Sequence, residues 1–110
     1  LQRDGEVSGT AIECPMEECE LTFTVRSDLR LKNPRALTAA GWLTMGFNED
    51  LDLAVEDALN GMLDLLVERL ALKREEALAL ASSIVDLRVT QIVNGVKGVH
   101  AICNSRLLGG

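Results

Sequence analysis

From residue 48 to residue 70, apolar side chains recur at three- and four-residue steps: Leu51, Ala54, Val55, Ala58, Leu59, Met62, Leu66 and Leu70. On a 3.6-residue repeat these positions fall on one stripe, with Asp52, Glu56, Asn60, Asp64 and Glu68 on the other side, which predicts one long amphipathic helix. Asn48 stands where an N-cap is expected, and Glu49, Asp50 and Asp52 follow where the positive end of the helix dipole favours anions. Gly61 lies inside the helix at a cost of roughly 1 kcal/mol against Ala, which points to close packing there.

A second helical period, Ala77, Leu78, Ala81, Ile84 and Val85, covers residues 74–85. The short break at 71–73 predicts that this helix runs antiparallel to the first, and Lys73 makes a poor cap at its start. The strand pattern is strongest at 19–26 (CELTFTVR), where Cys19, Leu21, Phe23 and Val25 alternate with Glu20, Thr22, Thr24 and Arg26. Residues 7–14 (VSGTAIEC) read as a strand weakened by Gly9, joined to it across a turn at 15–18 as an antiparallel hairpin. A third strand is expected at 40–45. Residues 87–93 and 96–103 flank Asn94-Gly95, a strong hairpin signal. The predicted order is β-β-β-α-α-β-β, and the class α+β: a mostly antiparallel sheet packed against a two-helix antiparallel pair.

At 110 residues the chain reads as a single domain, 1–110. Three aromatics, Phe23, Trp42 and Phe47, leave the core to aliphatic residues. A net charge of -6 argues against nucleic acid or an anionic membrane surface as a partner, because phosphate binding needs clustered Lys and Arg. No apolar run reaches the roughly 18 residues of a spanning helix. Cys14, Cys19 and Cys103 read as three reduced thiols of a cytoplasmic protein rather than a disulfide framework, and one His excludes a His-rich zinc site built by this chain alone.

Candidate chemistry gathers near the chain ends. Asp4-Gly5-Glu6 sets two carboxylates around a glycine just before a strand. They read either as a polar turn or as a pair able to converge on a cation or a water. Glu13, beside small residues on its strand face, either lines a pocket or is solvated. Asp86-Leu87-Arg88 reads first as a salt bridge at the end of the second helix. Asn94 to Gly98 reads as a hairpin turn or, at a stretch, an anion-holding nest. His100 reads as a packed or edge residue, and a pairing of His100 with Cys103 or Cys14 rests on residue identity alone.

Four ordered blocks carry a family resemblance. Residues 2–13 (QRDGEVSGTAIE), 44–52 (TMGFNEDLD), 74–77 (REEA) and 86–101 (DLRVTQIVNGVKGVHA) resemble the C-terminal part of the acetamidase/formamidase family. The first is similar to the family's His-Ala-x-Gln-Gly-Asp-Gly-Glu segment, the second to its helix entry. The resemblance implies hydrolysis of short linear amides, such as formamide and acetamide, to a carboxylate and ammonia. It also implies a divalent metal ion, zinc or calcium, a small amide substrate, and either a homo-oligomer or an N-terminal partner chain. Carried over, Glu6 is the catalytic or metal-side carboxylate, Asp4 its partner on the metal side, and Gln2 a polar residue that orients the substrate; the reading of the residues adds Glu13 as a second substrate-side candidate. Arg3 stands where the family has Gly, and Lys73 where it has a capping Ser. The motif's His, and the Asp before it, would precede Leu1. The expectation is a C-terminal piece of a longer amidohydrolase, inactive alone. The alternative is a non-enzymatic domain kept for oligomerisation or binding.

Overall fold

The structure, a computed structural model, describes residues 5–9 and 15–108. Strands β1 (Arg35–Thr38) and β2 (Gly41–Asn48) form a hairpin and lead into helix α1 (Leu51–Leu70). Helix α2 (Arg74–Ile84) runs without a linker into β3 (Val85–Gln91), which pairs with β4 (Lys97–Cys103), and a 3-10 turn (Ser105–Leu108) follows. The sheet order is β1-β2-β4-β3, every pairing antiparallel. This is the expected α+β class, a four-stranded antiparallel sheet with two helices.

The predicted strand at 19–26 is not formed. Those residues carry no regular structure and are exposed throughout, so their alternation has no sheet to pack on. Residues 7–9 form a bend rather than the start of a hairpin, and 10–14 lie outside the described residues. The expected third strand is found slightly later, as β2, and Arg35–Thr38 is an addition to the expected order. Its hairpin turns at 39–40. Gly41, at φ 132°, closes that turn where a Cβ would stand 2.1 Å from Cys103 O.

Helix α1 begins later than expected. Asp50, not Asn48, is its N-cap: Oδ1 accepts from the N–H groups of Asp52 (2.8 Å) and Leu53 (3.3 Å). Asn48 acts one step earlier, accepting from Asp50 N–H at 2.9 Å. At the far end Ala71 ends the helix in the left-handed region, at φ 53°, a conformation that favours glycine. Lys73 supplies no cap, but Glu76 Oε1 accepts from its N–H at 2.9 Å, one half of a capping box.

The core lies between α1 and one sheet face. Ala54, Ala58, Met62 and Leu66 of the expected stripe are buried against Val99, Ala101 and Cys103. Leu63 and Leu65, off that stripe, are buried too, because α1 is covered by α2 and the 3-10 turn as well as by the sheet. Helix and sheet approach very closely. A Cβ on Gly46 would stand 2.1 Å from Ala54 O and 2.5 Å from Ala58 N. Thr44, 2% exposed, donates from Oγ1 to Ala58 O at 2.8 Å. Gly61 faces this threonine, as its place in the helix suggested, with a would-be Cβ 3.2 Å from Thr44 Cβ. Across the helix pair, Arg74 binds Asp64 (2.6 Å) and Asn60 (3.0 Å).

Two outcomes follow for equilibrium denaturation. Gly46→Ala forces the helix off the sheet against two backbone atoms and costs about 3 kcal/mol or more. Gly61→Ala sets a helix-propensity gain of roughly 1 kcal/mol against one tight side-chain contact and stays within about 1 kcal/mol of zero. Equal losses from the two would show that helix and sheet are not in backbone contact at Gly46. Ala71→Gly relieves the left-handed residue and raises stability by about 0.5–1 kcal/mol; an unchanged or lower midpoint would count against that cap.

Candidate functional site

Strand β4 sits between β2 and β3, so β3 has an open edge, and the leading segment docks there. Glu6 forms a parallel bridge with Gln91: its N–H donates to Thr90 O, and its carbonyl accepts from Ile92 N–H at 3.2 Å. Gly5 makes this possible. A Cβ there would lie 2.1 Å from Val89 O and 3.0 Å from Thr90 O, so the approach needs a residue without one. A bulge between Val89 and Gln91 marks the docking point.

Of the expected site residues, the structure describes Glu6. Its side chain is exposed. Gln2, Asp4 and Glu13 lie outside the described residues, so their convergence with Glu6 is not part of the geometry here. Sequence reasoning missed Thr90, whose carbonyl receives the leading segment and whose hydroxyl lies 2.6 Å from His100 Nδ1. Its only signal was a hydroxyl side chain in a β-rich run. His100 is packed as expected, 6% exposed, in the middle of β4 and opposite Met45 and Arg88. A hydroxyl can donate or accept, so it can fix the ring's orientation in either neutral tautomer. One strand thus carries both the dock for Glu6 and the support for the sole histidine.

Other combinations fall away. His100 and Cys103 are three residues apart on one strand and point to opposite faces, so they do not form a pair. Cys103 is buried on the α1 side, and burial pushes its thiol pKa up, away from a nucleophile's needs. Asn94 and Gly95, at φ 68° and 80°, form the expected hairpin turn. Among the described residues no group of three His, Cys, Asp or Glu side chains could hold a metal ion. Glu6 offers two oxygens, whereas zinc takes about four ligands and calcium about six to eight. The described residues therefore do not by themselves fit the metal that the resemblance implies.

A second feature is a groove of about 650 Å³ between residues 28–35 and the polar side of α1. Two ion pairs lie within it: Arg35 with Glu68 at 3.3 Å, and Arg74 with Asp64. Beside it, the Arg69 and Arg35 guanidiniums lie over the Trp42 ring, their carbons 4.8 and 5.9 Å from its centre. Neither Glu6 nor His100 lines this groove. No helix among the described residues is long and apolar enough to cross a membrane.

No protein-family model matches the chain, and no curated protein matches it. Among solved structures it is similar to the crystal structure of an acetamidase from Yersinia enterocolitica, with a TM-score of 0.70 and 24% sequence identity. The match covers 74% of this chain and 25% of that one, so the chain spans about a quarter of the acetamidase's length. At this identity the likeness shows a shared fold: the antiparallel sheet backed by α1 and α2 is acetamidase-like.

Proposed function

We propose that this chain is the C-terminal portion of an acetamidase/formamidase-like amidohydrolase, whose reaction centre is completed by an N-terminal portion or a partner chain. The observation that carries this reading is the docking of Gly5-Glu6 on β3. The Asp-Gly-Glu resemblance calls for a glycine, and the fold gives that glycine a reason: backbone contact with Val89 that any Cβ would block. The acetamidase-like fold and the four ordered sequence blocks support the same reading.

The substrate class is a short linear amide of the formamide or acetamide type. The exposed Glu6 carboxylate takes a proton from a water that attacks the amide carbon. The C–N bond breaks as the nitrogen gains a proton, leaving a carboxylate and ammonia. Asp4 partners Glu6, while Gln2 and Glu13 hold the substrate. The divalent cation of the resemblance needs ligands beyond the described residues, so no step is assigned to it. The surroundings are the cytoplasm, and copies of the chain associate. A second reading, a non-enzymatic oligomerisation or binding domain, is favoured by one observation, the large apolar side chains exposed at Leu21, Phe23 and Val25.

Ammonia release from formamide and acetamide, measured with divalent metals present, separates the two. The chain alone gives no turnover. A protein that carries the same residues behind an N-terminal portion with the His-containing motif does turn over. There Glu6→Gln lowers kcat by about 10²-fold or more, the usual worth of a general base. Full activity in Glu6→Gln removes Glu6 from the chemistry, and brisk turnover by the chain alone refutes its incompleteness.

A further inference from the structure

Residues 19–26 alternate as a strand does, yet carry no regular structure and no strand partner among the described residues. Leu21, Phe23 and Val25 are 70%, 88% and 96% exposed. Three large apolar side chains in a row on one face, beside unpaired backbone of high strand propensity, form a template for another strand. We propose that the occupant is the same segment of a second copy of this chain, paired antiparallel about a twofold axis through Phe23.

The argument is self-complementarity, which a twofold interface requires because every contact is made twice. With Phe23 on the axis, Leu21 lies opposite Val25, Thr22 opposite Thr24, and Glu20 opposite Arg26. Apolar meets apolar on one face. On the other, hydroxyl meets hydroxyl and acid meets base. A one-residue slip sets Leu21 against Thr24 or Arg26 and puts the two apolar faces out of phase. Moving the axis to Thr24 opposes Glu20 with Asp28. Moving it to Thr22 gives Arg26 a partner in Glu18 but leaves Glu20 against Thr24, so Glu20 tells these registers apart. In the single chain Arg26 binds Asp28, two residues away, in a fully solvated pair, and exchanging such a pair costs little. This inference rests on the association included in the proposed function and on none of its chemistry; mass tests the one and ammonia the other.

The test is the mass of the full chain, by light scattering across a concentration series, with circular dichroism as the check on folding. All the altered side chains are exposed and outside the core, so the fold is retained. The unaltered chain is a dimer. Glu20→Arg and Arg26→Glu each place two like-charged pairs across the axis and weaken the dimer by about tenfold or more. Mixing the two variants in equal amounts restores it, because each Arg then faces a Glu. A chain that stays monomeric at every concentration overturns the proposal. So does a Glu20→Arg dimer as tight as the original, which means another register or surface, and so do variants that fail to associate on mixing.

Discussion

Helix α1 meets strand β2 with no side chain between them at Gly46, and the next contact along is the Thr44 hydroxyl bonded to the Ala58 carbonyl, with Gly61 above it. Small or hydrogen-bonded residues at these three places let the helix backbone lie directly on the sheet. That closeness brings Met62 and Leu66 down onto Val99, Ala101 and Cys103. It also fixes where β4 runs, since Gly46 pairs with Val99 and Thr44 with Ala101. A bulkier residue at the contact would raise the helix and open the whole interface, so packing density is decided at backbone level before the aliphatic side chains take part.

The candidate site inherits this frame. With β4 held under α1, β3 becomes the outer strand, and its free edge receives Gly5 and Glu6 through main-chain hydrogen bonds. The alternation of β4 then sends Cys103 towards the helix and His100 to the opposite face, where Thr90 reaches it. An exposed carboxylate and a buried, oriented imidazole thus share one strand as their support. The helix side is apolar apart from Thr44, while Glu6 sits at the sheet edge and His100 on the face away from α1.

Two stretches of similar sequence character have opposite fates. Residues 19–26 alternate more cleanly than 97–103, which include two histidine-flanking small or β-branched residues and a glycine. Yet the latter form the best-covered strand of the sheet, with partners on both sides and α1 across one face. Alternation says that a segment can be half-buried; it does not say that this chain holds the surface to bury it against. The mismatch at 19–26 leaves an apolar face in water, with Leu21, Phe23 and Val25 all exposed.

The local pattern was enough to place α1 and α2, the Asn94-Gly95 turn, the α+β class, and the meaning of Gly61, because helical period and turn chemistry are properties of neighbouring residues. It marked Gly5 and Glu6 as a unit but did not single out Thr90 from its β-rich run, since no local rule says which strand edge will be open. It placed the cap at Asn48 when Asp50 holds the helix N–H groups, because two Asx-type residues two positions apart can each cap and only the chain's exit from β2 selects one. It could not foresee that 19–26 would lie bare while a short strand formed at 35–38. Pairing partners are chosen by long-range packing, and the contact of α1 with β2 decides which strands are close enough to pair.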